Sequence, residues 1–172
     1  MNYFKLKIFT LLSITLVILS CEKDDICAEA TATTPQLVVR FYDNDNIEEA
    51  KSVTNLLVYG VNDANEAVFF ENVSFATSDS VVVPLRTDSD ISRLVFHKDL
   101  TITDFETGNL DIIDFNYTRD NIYVSRACGF KNVFNDLGSN LSTDSNNWII
   151  NIEIEENTSV ENQNSAHVKI YH

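Results

Sequence analysis

Apolar and polar residues alternate along most of the chain from residue 36 onward. QLVVRFY at 36–42 places Leu37, Val39 and Phe41 on one side of an extended segment. Similar short runs, rich in β-branched and aromatic residues, follow at 55–61, 67–72, 80–85, 92–97, 112–118 and 121–127. Runs of this length and spacing predict an all-β fold, namely an antiparallel β-sandwich, immunoglobulin-like or similar, with about 8–9 strands.

The same period is clearest near the C-terminus. NWIINIEIEE (147–156) and SAHVKIYH (165–172) each alternate apolar with polar residues, and the polar segment NTSVENQNS joins them. This pattern predicts a terminal antiparallel hairpin with one buried and one solvated face. Pro84 cannot donate a hydrogen bond to a β-ladder, so the run SVVVPL is predicted to be an edge strand or to end in a bulge.

One segment departs from the strand pattern. In CGFKNVFNDLG (128–138), Phe130, Val133, Phe134 and Leu137 follow the i, i+3, i+4, i+7 spacing of a helix, and Gly138 stands where a helix would be capped. The spacing predicts a short helix near 130–137 that covers one end of the core.

The first 20 residues have the pattern of a secretory signal peptide. Lys5 and Lys7 precede an apolar stretch at 8–19, which is shorter than the ~20 residues that a membrane-spanning helix needs. The predicted organisation is a signal peptide at 1–20, a lipidated tether and linker at 21–35, and a single β-sandwich domain at 36–172.

The end of this leader resembles the lipobox of bacterial lipoproteins. Ile18, Leu19 and Ser20 precede Cys21, although Leu19 is bulkier than the usual residue at its position. The resemblance implies that Cys21 carries acyl chains such as palmitate, and two or three chains hold a protein firmly on a membrane. The protein is therefore expected in the outer membrane.

The four residues after Cys21 are all charged. Glu22, Lys23, Asp24 and Asp25 resemble the surface-export signal of lipoproteins of the Bacteroidota, and the alternative is a solvated spacer. The first interpretation predicts display on the cell surface, and the second leaves the periplasmic face open.

Acidic residues dominate the charge of the chain. Its formal net charge is −14, and removal of the leader takes away two lysines and no acid, which leaves −16. This balance argues against nucleic acid as a partner, because no basic stripe could neutralise phosphates. It also argues against a protein surface that lies against anionic lipid headgroups.

Two cysteines remain after Cys21. In an oxidising envelope, a pair in one small domain usually forms a disulfide, so a Cys27–Cys128 bond is predicted. The alternatives are a metal site and a nucleophilic Cys128, but metal binding would need more soft ligands, and the residues near Cys128 do not favour an activated thiolate.

No pattern of residues predicts catalysis, a metal site or a cofactor. His97, His167 and His172 are expected to face solvent, without the spacing of a metal site. Asp43–Asn46 with Glu48 could suggest a calcium loop, but the sixth and twelfth positions do not fit an EF-hand, and a turn is the preferred interpretation.

Four segments carry a resemblance to a known group of proteins. CEKDDIC, TPQLVVRFYD, YVSRACGF and VENQNSAHVKIYH resemble an uncharacterised outer-membrane lipoprotein family of the Bacteroidota. The resemblance implies a lipid-anchored, single-domain protein and no assigned activity. The anchor, an exposed face and the lack of a convergent polar site predict a membrane-anchored, non-enzymatic envelope lipoprotein that binds or supports an outer-membrane partner, for example a β-barrel protein. The alternatives are a surface carbohydrate-binding protein and an envelope hydrolase.

Overall fold

The computed structural model describes residue 3 and residues 26–28, 33–71, 75–156 and 158–172. All ten elements within these ranges are strands. They are β1 (Leu37–Tyr42), β2 (Val53–Val61), β3 (Ala67–Val68), β4 (Ala76–Ser78), β5 (Ser80–Val83), β6 (Ile91–Lys98), β7 (Asn109–Ser125), β8 (Gly129–Leu141), β9 (Asn151–Ile154) and β10 (Val168–Tyr171). The prediction of an all-β fold is confirmed.

The chain divides into two compact units. The first consists of Met1–Thr31 with Tyr123–Phe130, and it contains the turn between β7 and β8. The second consists of Ala32–Ile122 with Lys131–His172, and it contains the sandwich. Within the described ranges, no helix has the length and apolar character needed to cross a membrane.

Two sheets form the sandwich. One has four strands in the order β5-β1-β10-β9, and the other has the order β3-β2-β6-β7-β8 with β4 alongside β2. The pairs with a described register are antiparallel except for β1 and β10, which run parallel. The terminal hairpin is confirmed as β9–β10. The edge position of β5, which ends immediately before Pro84, is confirmed as well.

The core lies between the two sheets of the second unit. Alternation along β1 buries Leu37, Val39 and Phe41 completely, as period-2 geometry requires of a strand with one covered face. The Phe41 ring centre lies 6.3 Å from those of both Phe96 and Trp148. This aromatic cluster joins the two sheets.

The predicted helix near 130–137 is wrong, because these residues belong to the 13-residue strand β8. Asp136 has a φ of 55°, and a residue in the left-handed region interrupts the alternation of side chains between the two faces of a strand. As a result Phe134 and Leu137, three residues apart, are both buried, which imitates helical spacing. Phe130 is 67% exposed and is not part of the core.

Gly138 also has a different role from the predicted helix cap. A Cβ atom at this position would lie 2.7 Å from the side-chain amide nitrogen of Asn116 on β7. The glycine therefore allows two paired strands to bring a polar side chain against the backbone.

Candidate functional site

A disulfide links Cys27 to Cys128, as the sequence predicted. The two Cα atoms are 4.8 Å apart, and the residues are separated by 101 positions in the chain. Cys128 lies in the turn between β7 and β8, where its backbone N–H donates to Ser125 Oγ at 3.0 Å. Gly129 has a φ of 69°, which favours glycine, and it begins the return strand. The bond thus fixes the segment 26–28 to the tip of a hairpin.

Large apolar side chains are exposed around this disulfide. Tyr123 and Phe130 form an edge-to-face pair with ring centres 5.4 Å apart, yet they remain 58% and 67% exposed. Ile26, next to Cys27, is 83% exposed. We call the segments 26–28 and 123–130, all in the first unit, the hairpin tip.

A polar groove lies on the outer face of the four-stranded sheet. Its volume is about 810 Å³, and its lining includes Arg40, Tyr42, Glu155, His167 and Lys169. The groove exists because β1 and β10 are paired, which sets Arg40 beside Lys169 and Tyr42 beside Tyr171. Its size lies within the range of small-molecule sites, and polar groups dominate its walls.

Ion pairs order the floor of the polar groove. The Lys169 ammonium is 2.9 Å from a Glu155 oxygen, and this hydrogen bond raises the pKa of Lys169. Glu153 lies 3.8 Å from the same ammonium and accepts a hydrogen bond from the Tyr171 hydroxyl at 2.9 Å. The Arg40 guanidinium is 5.6 Å from the centre of the Tyr42 ring. A charged floor with one aromatic ring suits a polar, uncharged ligand rich in hydroxyl groups.

His167 is buried at one end of the groove and is only 6% exposed. Its Nδ1 accepts the Val38 backbone N–H at 2.9 Å. Burial lowers the pKa of His167, while a hydrogen bond to the Asn162 backbone opposes that shift. The imidazole is therefore neutral near neutral pH, with Nδ1 as the acceptor that ties β1 to β10.

Acid is expected to weaken the fold through His167. Its pKa is lower in the folded state than in the unfolded chain, so its stabilising effect is complete above about pH 6.5 and is lost as pH falls further. Denaturant unfolding at a series of pH values should show a steeper loss for the native chain than for His167→Asn, whose side-chain oxygen can still accept the Val38 N–H.

Several other groups have shifted pKa values in the folded state, Asp43, Asp63 and Asp88 among them, and all are present in both proteins. Burial lowers the pKa of His172 and raises that of Asp111, but both are present in both proteins, so the comparison isolates His167. The charged groups that line the groove are unchanged too, namely Arg40, Glu153, Glu155, Glu156 and Lys169. Equal pH profiles for the two proteins would contradict this role.

The expectation that the histidines face solvent is wrong for two of them. His97 is 2% exposed on β6, and its Nε2 lies 2.7 Å from the Thr107 carbonyl oxygen in the loop that follows. His167 is 6% exposed, and its Nδ1 accepts the Val38 N–H. His172 approaches the Lys51 carbonyl oxygen with its Nε2 at 3.2 Å. The three histidines thus have separate backbone partners.

No metal site is visible in the part of the chain that the structure describes: nowhere there do three His, Cys, Asp or Glu side chains come together. The calcium-loop alternative at 43–48 is instead a turn. Asp43 Oδ1 accepts the Asp45 N–H at 3.3 Å and the Lys51 ammonium at 3.1 Å. The hydrogen bond from Lys51 lowers the pKa of Asp43.

Aromatic side chains lie on the outer face of the six-stranded sheet. Tyr59 on β2 contacts Phe69 with ring centres 5.4 Å apart, and Phe69 contacts Phe105 at 6.2 Å. Phe69 and Phe105 are 58% and 50% exposed. We call these three residues the aromatic row. An exposed cluster of this kind is typical of a binding surface.

The polar groove and the aromatic row were not predicted from the sequence. Arg40 and Lys169 alternate outward along their strands, which is visible in the sequence, but their adjacency depends on the pairing of β1 with β10. Phe69 and Phe105 come from two different loops. Cys21 and the charged residues 22–25 lie outside the described residues.

Fold and surface together define a disulfide-bonded β-sandwich protein with a polar groove and an exposed aromatic row. The chain belongs to DUF6452, a family of unknown function, whose model matches residues 55–172. No curated protein and no solved structure matches it. The match agrees with the prediction in one respect, that the family is uncharacterised, and it assigns no activity.

Proposed function

We propose that the protein is a lipid-anchored, non-enzymatic envelope lipoprotein of the Bacteroidota type that binds or supports an outer-membrane partner, such as a β-barrel protein. The observation that carries the binding role is the aromatic row, in which Phe69 and Phe105 expose half or more of their surface. Aromatic side chains are enriched where proteins bind one another, because they bury a large area at a small entropic cost.

The anchor supports the choice of partner. A lipidated Cys21 would confine the chain to a membrane, which raises its effective concentration toward other membrane proteins. The charged residues 22–25 support display at the cell surface, in the manner of an export signal. The partner is therefore proposed to be a resident of the same membrane.

Loss of the anchor is expected to release the protein. The variant Cys21→Ala removes the thiol that would carry the lipid, so the sandwich should move from the membrane fraction to the soluble fraction. Fractionation and immunoblotting of cells that produce either protein measure this change. Ile47→Ser, a substitution at an exposed position that keeps Cys21, is the control and should remain in the membrane fraction. An alanine variant at position 21 that still sediments with membranes would refute the anchor.

Co-purification tests the partner. The native protein, Phe69→Ser/Phe105→Ser and the control Ile47→Ser would be isolated from detergent-solubilised membranes. Ile47 is 58% exposed, as is Phe69, but it lies outside the aromatic row. We expect one outer-membrane protein in constant ratio with the native protein and the control, and its loss from the double variant. Retention by all three proteins would exclude the aromatic row as the contact.

The polar groove supports a second candidate, a surface protein that binds carbohydrate. Its volume, its ordered ion pairs and the Tyr42 ring are compatible with a sugar. Retardation in gels that contain soluble polysaccharides measures such binding. A carbohydrate binder should be retarded, and Tyr42→Ala should restore the mobility, whereas Phe69→Ser should not.

A further inference from the structure

The hairpin tip combines features that distinguish it from the rest of the surface. Three of its large apolar side chains, those of Ile26, Tyr123 and Phe130, are 83%, 58% and 67% exposed. A disulfide makes the tip a fixed structure, because Cys27 and Cys128 are bonded. The exposed side chains are therefore held in place and do not belong to a loose chain end.

The tip also differs in charge. The hairpin tip, 26–28 and 123–130, contains no Asp or Glu, in a chain with 26 acidic and 12 basic residues. Exposed aromatic side chains with no carboxylate among them suit a surface that is apolar beneath and anionic above. The headgroup region of a phospholipid bilayer has this chemistry, and tyrosine is enriched there.

The tether between Cys21 and Cys27 limits the distance between the hairpin tip and the membrane. Cys27 follows Cys21 by six residues, and six Cα steps reach at most about 20 Å. With lipid on Cys21, the disulfide cannot lie farther than this from the membrane surface. A partner protein could reach many parts of the sandwich, but the bilayer is bound to be near the tip.

We infer that the hairpin tip inserts into the headgroup region of the bilayer, with Tyr123 and Phe130 as the interfacial side chains. The inference rests on the proposed function, because the lipid on Cys21 brings the tip to the membrane. The inserted tip would be a second, non-covalent contact with phospholipid, which a flexible anchor alone would not make.

Fluorescence quenching by brominated phospholipid tests the inference. Lipidated full-length protein, with either Tyr123→Trp or Ile47→Trp, would be reconstituted into vesicles of phosphatidylethanolamine and phosphatidylglycerol, with and without bromine on the acyl chains. Both positions are 58% exposed, and the native protein, whose one tryptophan is the 7% exposed Trp148, gives the background and reports folding. The mass of the Cys21 peptide is measured in each sample.

We expect the added emission at position 123 to shift to shorter wavelength and to be lost in brominated vesicles, while emission at position 47 is retained. Equal quenching at both positions, or none at position 123, with lipid present on Cys21 would overturn the inference and leave the proposed anchor intact. A Cys21 peptide without lipid would overturn both.

Discussion

Replacement of Cys128 by serine is expected to lower the free energy of unfolding by about 2–5 kcal/mol. The bond closes a loop of 101 positions, so its removal releases most of the chain in the unfolded state. Long loops give the largest effect in this entropic account. Denaturant unfolding of the native protein and of Cys128→Ser in an oxidising buffer measures the difference.

The control uses the other half of the same bond. Cys27→Ser and the double variant should be as unstable as Cys128→Ser, because each lacks the same cross-link. Reduction of the native protein should lower its stability to the same level. A native protein whose unfolding is insensitive to reductant would contradict the contribution assigned to the bond.

Replacement of Phe41 by alanine is expected to cost about 3–5 kcal/mol. The ring is fully buried and lies among Phe96, Trp148 and His172, each with its ring centre 6.3 Å away. Truncation would leave a cavity between the two sheets, which close-packed neighbours fill only in part. Thermal and denaturant unfolding both report the loss.

Arg40→Ala is the matched control for this substitution. Arg40 precedes Phe41 on the same strand but points away from the core, and its nearest acid, Asp79, is 3.5 Å away with both side chains more than 40% exposed. An exposed ion pair contributes less than about 1 kcal/mol. If the two alanine variants lose equal stability, the assignment of faces in β1 is wrong.

Local pattern was sufficient to locate β1, β6 and the β9–β10 hairpin within four residues at each end. β1 alternates strictly between a buried and a more exposed face, whereas β6 is buried on both faces from Leu94 to His97. The edge position of β5 was predicted because Pro84 has no N–H to donate to a neighbouring strand. The disulfide followed from the number of cysteines and the predicted compartment, without any knowledge of the fold.

Elements that break the alternation were predicted less well. Asp136 with its positive φ makes β8 resemble a helix, and Asn55, with a φ of 47°, accompanies a register shift in β2. A left-handed residue other than glycine is not visible in a sequence, because its conformation depends on the partner strand. The two runs predicted at 112–118 and 121–127 are one strand, β7.

The candidate sites depend on contacts between distant parts of the chain. Strand parity predicted that His97 and His167 lie on solvated faces. In the structure both rings are buried, because His97 is hydrogen-bonded to the loop at Thr107 and His167 to the segment at Asn162. The polar groove requires the parallel pairing of β1 with β10, which are separated by more than 120 residues. No local pattern encodes these contacts.

The most direct test of the central claim, a lipid-anchored envelope protein, is the mass of the N-terminal peptide of protein isolated from its own membranes. The account predicts a peptide that begins at Cys21, carries a diacylglyceryl group on the sulfur and lacks residues 1–20. A peptide that begins at Met1, or one with an unmodified thiol at Cys21, would contradict it.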